Sequence, residues 1–428
     1  MRFWGITGTN GKTTTTWITA EFINAQPRRK CGYVTTVEVN TGTRQFYTGY
    51  TTPPLKQLKE IFAEMEQNGC TDCVMEVSSH AIHQHRTGDT VFSGGVFTNL
   101  SEDHLDYHKT MEAYFDVKLD FARQIAAARW GGDVPPPQFG RRDLPPYVVC
   151  LDGGYGREMF NAVGNLAVNV IPVSSRSRES KSNSGVLVPS CKLKAQDEKF
   201  HSSTSTPNFD LSGLQLVGDY NKSNVLCAAA LAEATGVPHE TIQAIIPTLK
   251  PRWGRLEEVK SEEGRVKSRV FVDFAHTPDG LEKVLTAVRK EMIQASDTKH
   301  QALSTKHSLW VVFGAGGDRD PMKRPLMGEA CAKLADRLVV TSDNPRSEDP
   351  MKIIEAIVGG INRTIEQSEQ SNIVFVEPDR KMAIEFALRE AKEGDVVIIA
   401  GKGHETSQEI KGVKYPFDDR EIVRAFEG

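Results

Sequence analysis

A glycine-rich segment near the start of the chain is typical of a phosphate-binding loop. Residues 5–14 read GITGTNGKTT, after a short apolar run and before a segment with helical spacing of apolar residues. Glycines let backbone N–H groups close around phosphate oxygens, and the N-terminus of the following helix adds positive potential. In such a loop Lys12 reaches the β- and γ-phosphates and the Thr13 hydroxyl ligates Mg²⁺. The spacing departs from the usual form, because Ile6 stands where a glycine is expected.

Acidic and imidazole groups follow two further apolar segments. Residues 76–80 read EVSSH, and residues 98–108 read TNLSEDHLDYH. A hard cation between a triphosphate and a substrate needs oxygen ligands, and Glu76 is placed to supply one. A buried structural carboxylate is the alternative for this position. The histidines of the region do not indicate zinc, because no cysteine, histidine or carboxylate at zinc-ligand spacing accompanies them.

Polar side chains recur in the second half of the chain wherever an apolar segment ends. Strands separated by helical segments predict a doubly wound sheet, in which ligands bind beyond the carboxyl ends of the strands. We therefore expect these polar residues to line one site. The predicted strands span 269–274, 309–314, 337–342, 373–376 and 395–401. The polar residues at their ends are Asp273, His276, Asp318, Arg319 and those at 343–346 and 402–405.

The first half of the chain must position the glycine-rich loop. A strand, the loop and a helix are followed by predicted strands at 73–77 and 95–98, which is an α/β pattern. A helix is predicted at 221–235. Pro-, Gly- and Ser/Lys-rich stretches at about 130–146 and 174–205 predict irregular insertions, which we interpret as loops or a β-rich flank.

Two domains are expected for a chain of this length. Its 428 residues are enough for two or three cores. Pro251 and Gly254 mark a plausible hinge after the helix at 221–235. We predict domains at 1–249 and 250–428.

Composition and charge narrow the kinds of partner. The chain is 39% hydrophobic and 25% charged, as in an ordinary globular protein. A net charge of −4 gives no electrostatic reason to expect nucleic acid or anionic lipid, so we expect small-molecule substrates and a monomer. No stretch approaches the roughly 20 apolar residues that cross a bilayer. Seven scattered cysteines fit reduced thiols, and we expect a cytoplasmic location.

Taken in order, these motifs resemble the Mur ligases of bacterial cell-wall synthesis. The loop and residues 76–80, 98–108 and 114–118 are similar to the central domain of that family. The carboxyl half resembles the MurE type, UDP-N-acetylmuramoyl-tripeptide synthetase. The motifs that carry this second resemblance are WGRLE at 253–257, DFAHTPD at 273–279, GAGGDRD at 314–320, DNPR at 343–346 and GKGHE at 401–405.

The resemblance implies an enzyme and an architecture. The enzyme is an ADP-forming ligase that uses ATP and Mg²⁺ to make an amide bond through an acyl phosphate. A P-loop ATPase domain at 1–249 precedes a Rossmann-like domain at 250–428. Closure of the second domain is expected to exclude water from the acyl phosphate.

The resemblance also implies which residues hold the nucleotide and the metal. Lys12 and Thr13 match the γ-phosphate and Mg²⁺ positions, and Glu76 and His104 match further Mg²⁺ ligands. Lys118 matches the lysine that this family carbamylates, which turns a repelled ammonium into an anionic ligand. From the pattern alone, Lys118 is expected to be an exposed helical lysine. The implied nucleotide-binding set is Gly8, Thr9, Asn10, Gly11, Lys12, Thr13, Thr14, Asn221, Asn224, Arg255, Asp273 and His276.

Two further sets are implied for the substrates. Arg346 can clamp the distal carboxylate of meso-diaminopimelate, and Glu405 can pair with its distal ammonium. A lysine substrate lacks that carboxylate and would leave Arg346 unpaired. The residues that match contacts to the muramoyl peptide are Thr51, Thr52, Ser78, Gln84 and Arg86. The residues that match the amino-acid pocket are Arg319, Asp343, Asn344, Arg346, Gly401 and Glu405.

Two other interpretations stay open. MurE-type enzymes carry a further domain before the loop that holds the UDP end of the acceptor, whereas this chain begins at the loop strand. We therefore expect either a truncated chain or an acceptor that UDP does not anchor. The latter fits a ligase resembling folylpolyglutamate or poly-glutamate synthetases, although residues 343–346 argue against it. The third interpretation is a nucleotide-binding regulatory protein without catalysis, against which Lys12, Glu76, His104 and Lys118 weigh.

Overall fold

The computed structural model describes residues 1–130, 143–175, 208–262, 264–297, 307–365 and 373–427. The chain folds into two compact units. The first unit comprises Met1–Glu102, His108–Leu214 and Asp219–Leu249. The second comprises Asp103–Tyr107, Gln215–Gly218 and Lys250–Gly428. His104 therefore groups with the second unit.

An eight-stranded sheet forms the centre of the first unit. Its order is β4-β3-β2-β5-β1-β6-β7-β8, with β3 and β4 antiparallel and the other pairs parallel. Parallel strands are covered on both faces, which explains why β1, β2 and β5 to β7 read as largely apolar runs. The strands are β1 (Arg2–Thr7), β2 (Cys31–Val34), β3 (Val39–Asn40), β4 (Gln45–Phe46), β5 (Asp72–Glu76), β6 (Phe92–Phe97), β7 (Pro146–Cys150) and β8 (Asn169–Val173).

The described residues up to Leu249 also form helices, most of them in the first unit. Helix α1 follows the glycine-rich loop directly, and its run of four threonines is buried. Contact with α7 and the sheet stabilises this helix, since β-branched threonine has modest helix propensity. The helices are α1 (Lys12–Asn24), α2 (Leu55–Gln67), α3 (Ser79–His83), α4 (Leu105–His108), α5 (Met111–Trp130), α6 (Gly156–Val163), α7 (Asp219–Ala234) and α8 (His239–Ile245), followed by a 3₁₀ turn at Ile246–Thr248.

The predicted elements of the first half are present, but five of the eight described strands, β2 to β4, β7 and β8, were not predicted. Strands predicted at 73–77 and 95–98 correspond to β5 and β6, and the helix predicted at 221–235 corresponds to α7. Where the sequence indicated loops or a β-rich flank after residue 130, β7, α6 and β8 extend the parallel sheet. Most of the two insertions, 130–146 and 174–205, lies outside the described residues.

A six-stranded sheet forms the centre of the second unit and confirms the predicted doubly wound arrangement. Its order is β13-β12-β11-β14-β10-β9, with only the edge strand β9 antiparallel. The strands are β9 (Glu257–Val259), β10 (Arg269–Asp273), β11 (Leu309–Phe313), β12 (Arg337–Val340), β13 (Val374–Val376) and β14 (Val396–Ala400). A separate hairpin consists of β15 (Ser407–Ile410) and β16 (Val413–Pro416).

Among the described residues after Lys250, five helices belong to the second unit. They are α9 (Pro278–Asp297), α10 (Lys323–Leu334), α11 (Pro350–Ile361), α12 (Arg380–Glu390) and α13 (Asp419–Arg424). Aspartates at 349, 379 and 418 cap the last three by accepting hydrogen bonds from backbone N–H groups of the first turn. Within the described ranges, no helix combines the length and the apolar character that crossing a membrane requires.

Candidate functional site

The glycine-rich loop between β1 and α1 is held by the segment that follows β6. The backbone N–H of Thr9 donates to the carbonyl of Asn99 at 2.9 Å. The N–H of Asn10 donates to the Asn99 side-chain oxygen at 3.0 Å, and the Thr98 hydroxyl donates to the Asn10 carbonyl at 2.6 Å. These bonds to the segment after β6 hold the loop backbone in one conformation, as a preorganised anion site requires.

Lys12 and Gly11 have the geometry that a phosphate-binding loop needs. The Lys12 ammonium donates to the carbonyls of Gly8 at 3.1 Å and Thr9 at 2.8 Å, so it lies against the loop. Gly11 has a φ of +83°, and a Cβ there would lie 2.2 Å from the Asn224 side-chain oxygen. Both the backbone conformation and the space therefore require glycine.

Helix α7 brings two buried amides to this loop. Asn224 donates to the Asn221 side-chain oxygen at 3.3 Å. Ser223 beside them donates to the Asp152 carboxylate at 2.7 Å, and the N–H of Ser175 donates to the same carboxylate at 2.6 Å. Burial favours the neutral acid, but these and neighbouring hydrogen bonds hold the pKa of Asp152 below its usual value. Asp152 thus ties α7 to the ends of β7 and β8.

Glu76 lies at the end of β5 in hydrogen-bond contact with the loop helix. Its carboxylate accepts from the Thr13 hydroxyl at 2.8 Å and from the Thr36 N–H at 2.8 Å and hydroxyl at 3.1 Å. The Thr36 hydroxyl also lies 3.0 Å from that of Thr51. Glu76 is only 1% exposed. Sequence reasoning missed Thr36, which follows β2 without any motif.

Lys118 is buried in α5, so the exposed position that its pattern alone suggested is wrong. Its side chain is 1% exposed, and its ammonium lies 3.3 Å from the Thr7 hydroxyl and 5.1 Å from the Tyr114 ring centroid. The Tyr114 ring stacks on His108 at 4.8 Å, and its hydroxyl lies 3.2 Å from that of Thr9. Tyr114 therefore connects the loop to Lys118.

The predicted acceptor residues form a second hydrogen-bonded group of the first unit. The Thr52 hydroxyl donates to the carbonyl of Glu76 at 2.8 Å and accepts from the Ser78 N–H at 3.1 Å. Arg86 donates to the Thr52 carbonyl at 3.3 Å and to the Gln84 side chain at 2.8 Å. The structure thus brings these predicted residues next to the backbone at the end of β5.

Asp273 ends β10 in the second unit and organises the loop that carries Arg255. Its buried carboxylate accepts from the N–H groups of Leu256 and Ala275, each at 2.7 Å. Burial raises the pKa of Asp273 above its usual value, while the nearby Arg255 opposes this. The Arg255 guanidinium carbon lies 4.5 Å from the Phe274 ring centroid.

Two histidines near Phe274 are kept neutral. Burial lowers the pKa of His404 to about 3, and the positive charge of Arg255 adds to the effect. Burial and the charge of Lys323 likewise lower the pKa of His276. Both rings can therefore accept or donate hydrogen bonds without carrying charge near neutral pH.

The loops after β12 and β14 meet in the second unit. Asn344 donates to the Glu405 carboxylate at 2.8 Å. The fully buried Lys402 ammonium lies 3.0 Å from both the Asn344 oxygen and the same Glu405 oxygen. A Cβ on Gly401 would lie 2.5 Å from the Asp343 carboxylate. Lys402 was among the strand-end residues expected to line one site, but the family resemblance assigned it no specific role.

Arg346 is placed beside this group by an unusual backbone conformation. The φ of Arg346 is +51°. The guanidinium of Arg346 donates to the Gly317 carbonyl at 2.6 Å, and its backbone N–H donates to the Glu409 carbonyl at 3.0 Å. A positive φ at a non-glycine residue is costly, which indicates that the surrounding loops hold it there. Arg319 is exposed and donates to the Asp318 carbonyl at 3.3 Å.

The proposed metal set is not brought together within one unit. Thr13, Glu76 and Lys118 belong to the first unit, whereas His104 groups with the second and lies 3.4 Å from the Asp103 carboxylate. Across the residues that the structure describes, no group of three or more His, Cys, Asp or Glu side chains could hold a metal ion.

Comparison with known families places the chain. Residues 6–232 match the Mur ligase middle domain, and residues 254–403 match the Mur ligase glutamate ligase domain. The chain is 38% identical over 421 residues to UDP-N-acetylmuramoyl-L-alanyl-D-glutamate–2,6-diaminopimelate ligase of Geobacillus kaustophilus, covering 98% of this chain and 78% of that protein. It is 36% identical over 426 residues to the ligase of the same name from Aquifex aeolicus, covering 99% and 77%.

A solved structure agrees with these matches. A structure of UDP-N-acetylmuramoyl-L-alanyl-D-glutamate–2,6-diaminopimelate ligase aligns with a TM-score of 0.54 and 28% identity, over 99% of this chain and 77% of that one. The chain therefore belongs to the Mur ligase family. Its relatives are of the MurE type, so the resemblance read from the motifs is confirmed, as is the class of ATP-dependent, ADP-forming ligase.

Proposed function

We propose that the protein joins 2,6-diaminopimelate to the terminal carboxylate of a UDP-N-acetylmuramoyl dipeptide, using ATP and Mg²⁺. The observation that carries this proposal is the group of charged and amide side chains after β12 and β14. An amino acid with a second carboxylate and a second ammonium needs both signs of charge in its pocket. We also propose domain limits of 1–249 and 250–428.

The charges of this pocket favour diaminopimelate over lysine. Arg346 can bind the distal carboxylate through two parallel hydrogen bonds. Glu405 can pair with the distal ammonium. Hydrogen bonds from Asn344 and Lys402 fix the orientation of the Glu405 carboxylate. Lysine lacks that distal carboxylate, so Arg346 would keep its contacts with the Glu409 carboxylate at 3.7 Å and the Gly317 carbonyl but lose the bidentate pair, at a cost of about 1–3 kcal/mol.

The first unit fits a nucleotide with a hard cation. The Thr13 hydroxyl and Glu76 carboxylate lie 2.8 Å apart and are the oxygen ligands that Mg²⁺ prefers. Mg²⁺ typically takes one or two protein carboxylates and completes its shell with phosphate oxygens and water, so a large protein cluster is not required. We propose that Thr13, Glu76, His104 and Lys118 as its carbamate complete the set. When bound, the ion neutralises charge on the transferring phosphoryl group.

The residues of the loop act on the phosphoryl transfer. An oxygen of the acceptor carboxylate attacks the γ-phosphorus, ADP leaves, and an acyl phosphate results. Lys12 and the N–H groups at 11–13, where the loop enters α1, stabilise the charge on the equatorial oxygens, while the N–H groups of Thr9 and Asn10 stay bonded to Asn99. Asn221 and Asn224 hold the nucleotide so that its phosphates reach the loop. The amine of the amino acid then adds to the acyl carbon, and phosphate leaves as the tetrahedral intermediate collapses to the amide.

Lys118 is proposed to act as a carbamate. Its burial beside Thr7 and Tyr114 places it near the phosphate loop rather than in solvent. Intact-mass measurement of the active enzyme in bicarbonate, under non-denaturing conditions, should show one added carboxyl group. The Lys118→Ala variant should lack that mass. An active, bicarbonate-supplied enzyme with an unmodified Lys118 would contradict the assignment.

The test of the substrate is phosphate release from ATP across a panel of acceptors and amino acids. We expect release that depends on diaminopimelate and the muramoyl dipeptide, and that Arg346→Ala abolishes. Arg363→Ala is the control, because Arg363 is exposed and pairs with Glu329 on the surface. Release with glutamate alone would support the poly-glutamate type of ligase instead. ATP binding without release for any pair would support the regulatory interpretation.

A further inference from the structure

A buried ion pair lies beneath the loops after β12 and β14. Arg380, the first residue of α12, is 1% exposed, and Asp419, the first residue of α13, is 0% exposed. Two parallel hydrogen bonds of 2.8 Å each join the guanidinium to the carboxylate. No sequence motif singled out either residue.

The same guanidinium also holds two backbone carbonyls. It donates to Ala400 at 2.9 Å and to Ser342 at 3.4 Å. Ala400 ends β14 and precedes Gly401, and Ser342 follows β12 and precedes Asp343. Each carbonyl belongs to the peptide plane whose nitrogen is that of a predicted pocket residue. Arg380 therefore fixes the orientation of both planes at once.

Stability alone does not account for this pair. Removing two charges from water is costly, and apolar residues of similar volume often replace a buried ion pair without loss of stability. Burial disfavours the charge on Arg380, but the carboxylate of Asp419 outweighs this and raises the pKa of Arg380. The charge is thus maintained in the interior, where its remaining hydrogen bonds go to the two carbonyls.

The loops after β12 and β14 approach each other closely at Gly401 and Asp343. A Cβ on Gly401 would lie 2.5 Å from the Asp343 carboxylate, so the two loops approach closely. A small rotation of either peptide plane would move Gly401 and the Asp343 carboxylate apart or bring them into steric clash. Displacements of about 1 Å in positioning groups can change rates by about 100-fold.

We propose that Arg380 is a positioning residue for the amino-acid substrate, and that Asp419 holds its guanidinium in register. Arg380 touches no substrate and acts through Asp343 and Gly401. This inference rests on the proposed function, because those two residues are assigned to the amino-acid pocket.

The test replaces both charges together. Arg380→Met/Asp419→Leu leaves no unpaired buried charge, so its melting temperature should stay within about 4 °C of the parent. The KM for the amino acid should rise about tenfold, because the loops lose their common support, while the KM for ATP stays within about twofold. The control is Arg29→Met/Asp72→Leu, which removes a bidentate pair of the first unit together with the bonds from Trp4 and Arg2 to Asp72; although this change is the more severe, it should leave the amino-acid KM unchanged.

A single variant keeps the proposal testable if the double variant does not fold. Arg380→Lys retains the charge beside Asp419, but one ammonium lacks the planar fork that reaches two carbonyls, so the same KM shift is expected. An unchanged amino-acid KM in either folded variant, or equal rises for ATP and amino acid, would overturn the proposal. A parent that uses glutamate instead of diaminopimelate overturns the proposed function, and the KM for glutamate then tests Arg380. A parent that uses no amino acid overturns both.

Discussion

The phosphate loop of the first unit, here the phosphate side, and the proposed amino-acid pocket of the second, here the amino-acid side, are built by different means. The phosphate loop consists of consecutive residues, and neutral hydrogen bonds with Thr98 and Asn99 hold it. The amino-acid side draws on separate strand ends, and buried charges such as Lys402 and Arg380 hold it. Its assembly therefore depends on contacts between residues that are distant in sequence.

This difference shows what each kind of site requires. A phosphate is bound largely by backbone N–H groups, so a short motif with the right glycines suffices. An amino acid with two charged ends needs side chains of both signs at fixed distances, and these must be supported from below. Changes on the phosphate side should therefore act on ATP, and changes on the other side should act on the amino acid.

The largest expected effect is at Lys12. Lys12→Ala removes the cation that lies against the loop and should lower ATP-dependent phosphate release by about 1,000-fold. Stopped-flow phosphate release measures the loss. Lys59→Ala, an exposed position on α2, should have no effect. Residual activity within tenfold of the parent would contradict the role of Lys12.

A glycine of the phosphate side offers a sharper test. Gly11→Ala and Gly236→Ala both place alanine at positive φ, at a cost of about 1–2 kcal/mol. Only at Gly11 does the new Cβ meet another residue, at 2.2 Å from the Asn224 oxygen, whereas nothing lies within 4 Å at Gly236. Displaced Asn224 should raise the KM for ATP about tenfold in Gly11→Ala alone. Equal ATP KM values for the two variants would refute the contact.

The amino-acid side has a corresponding pair. Gly401→Ala brings a Cβ to 2.5 Å from the Asp343 carboxylate, whereas Gly412→Ala meets nothing within 4 Å. We expect the KM for the amino acid to rise about tenfold only in Gly401→Ala, with the KM for ATP unchanged. A rise in the ATP KM instead would contradict the expectation that changes on the amino-acid side affect the amino acid alone. Initial-rate measurements with each substrate varied in turn decide between these outcomes.

A pH effect on stability is expected from the second unit. The pKa of His404 is about 3 in the folded protein, below its ordinary value of 6.5. Between these values the unfolded chain binds a proton that the folded protein does not, so the free energy of unfolding rises with pH by up to about 1.4 kcal/mol per unit. This contribution is complete above pH 6.5 and is lost toward pH 3.

Urea unfolding of the parent and of His404→Gln measures this slope. Between pH 4 and 6, the difference in unfolding free energy between the parent and the variant should change with the slope expected for one proton, up to about 1.4 kcal/mol per pH unit. At pH 7.5, where the ring is neutral in both states, the difference should be constant. Parallel curves across the acid range would show that His404 is not held neutral by the fold.

The smallest expected effect concerns Tyr114. Tyr114→Phe keeps the ring beside Lys118 and His108 but removes the hydroxyl that lies 3.2 Å from that of Thr9. Loss of one such bond should weaken ATP binding by about 1 kcal/mol, or roughly fivefold. Isothermal titration with ATP measures it. An unchanged affinity would mean that Tyr114 serves Lys118 alone.

Much of the fold could be predicted from local sequence. Strands such as β10 (RVFVD), β11 (LWVVF) and β14 (VVIIA) are mostly apolar over their whole length, as expected for strands buried on both faces of a parallel sheet. The strands β7 and β8 were harder because proline and glycine surround them. Short β3 and β4 have only two residues each, too few for any periodicity.

Site residues could be predicted where they belong to short sequence motifs, and could not where only tertiary packing brings them together. Glu76 and the glycine loop follow predicted strands and stood out directly. Lys118 could be assigned only by resemblance, because burial of a helical lysine depends on tertiary packing. Arg380 and Asp419 are 39 residues apart and are paired only by the packing of α12 against α13. No spacing in the sequence could have revealed that pair.

The position of β1 in its sheet has a consequence for how the enzyme loses activity on warming. Because β5 and β6 flank β1 on both sides, the loop at its end is anchored to the part of the first unit that opens last. Arg346 is instead tied to a two-stranded hairpin, a kind of element with little stability of its own. Gentle heating should therefore blunt discrimination among amino acids while the protein still captures ATP.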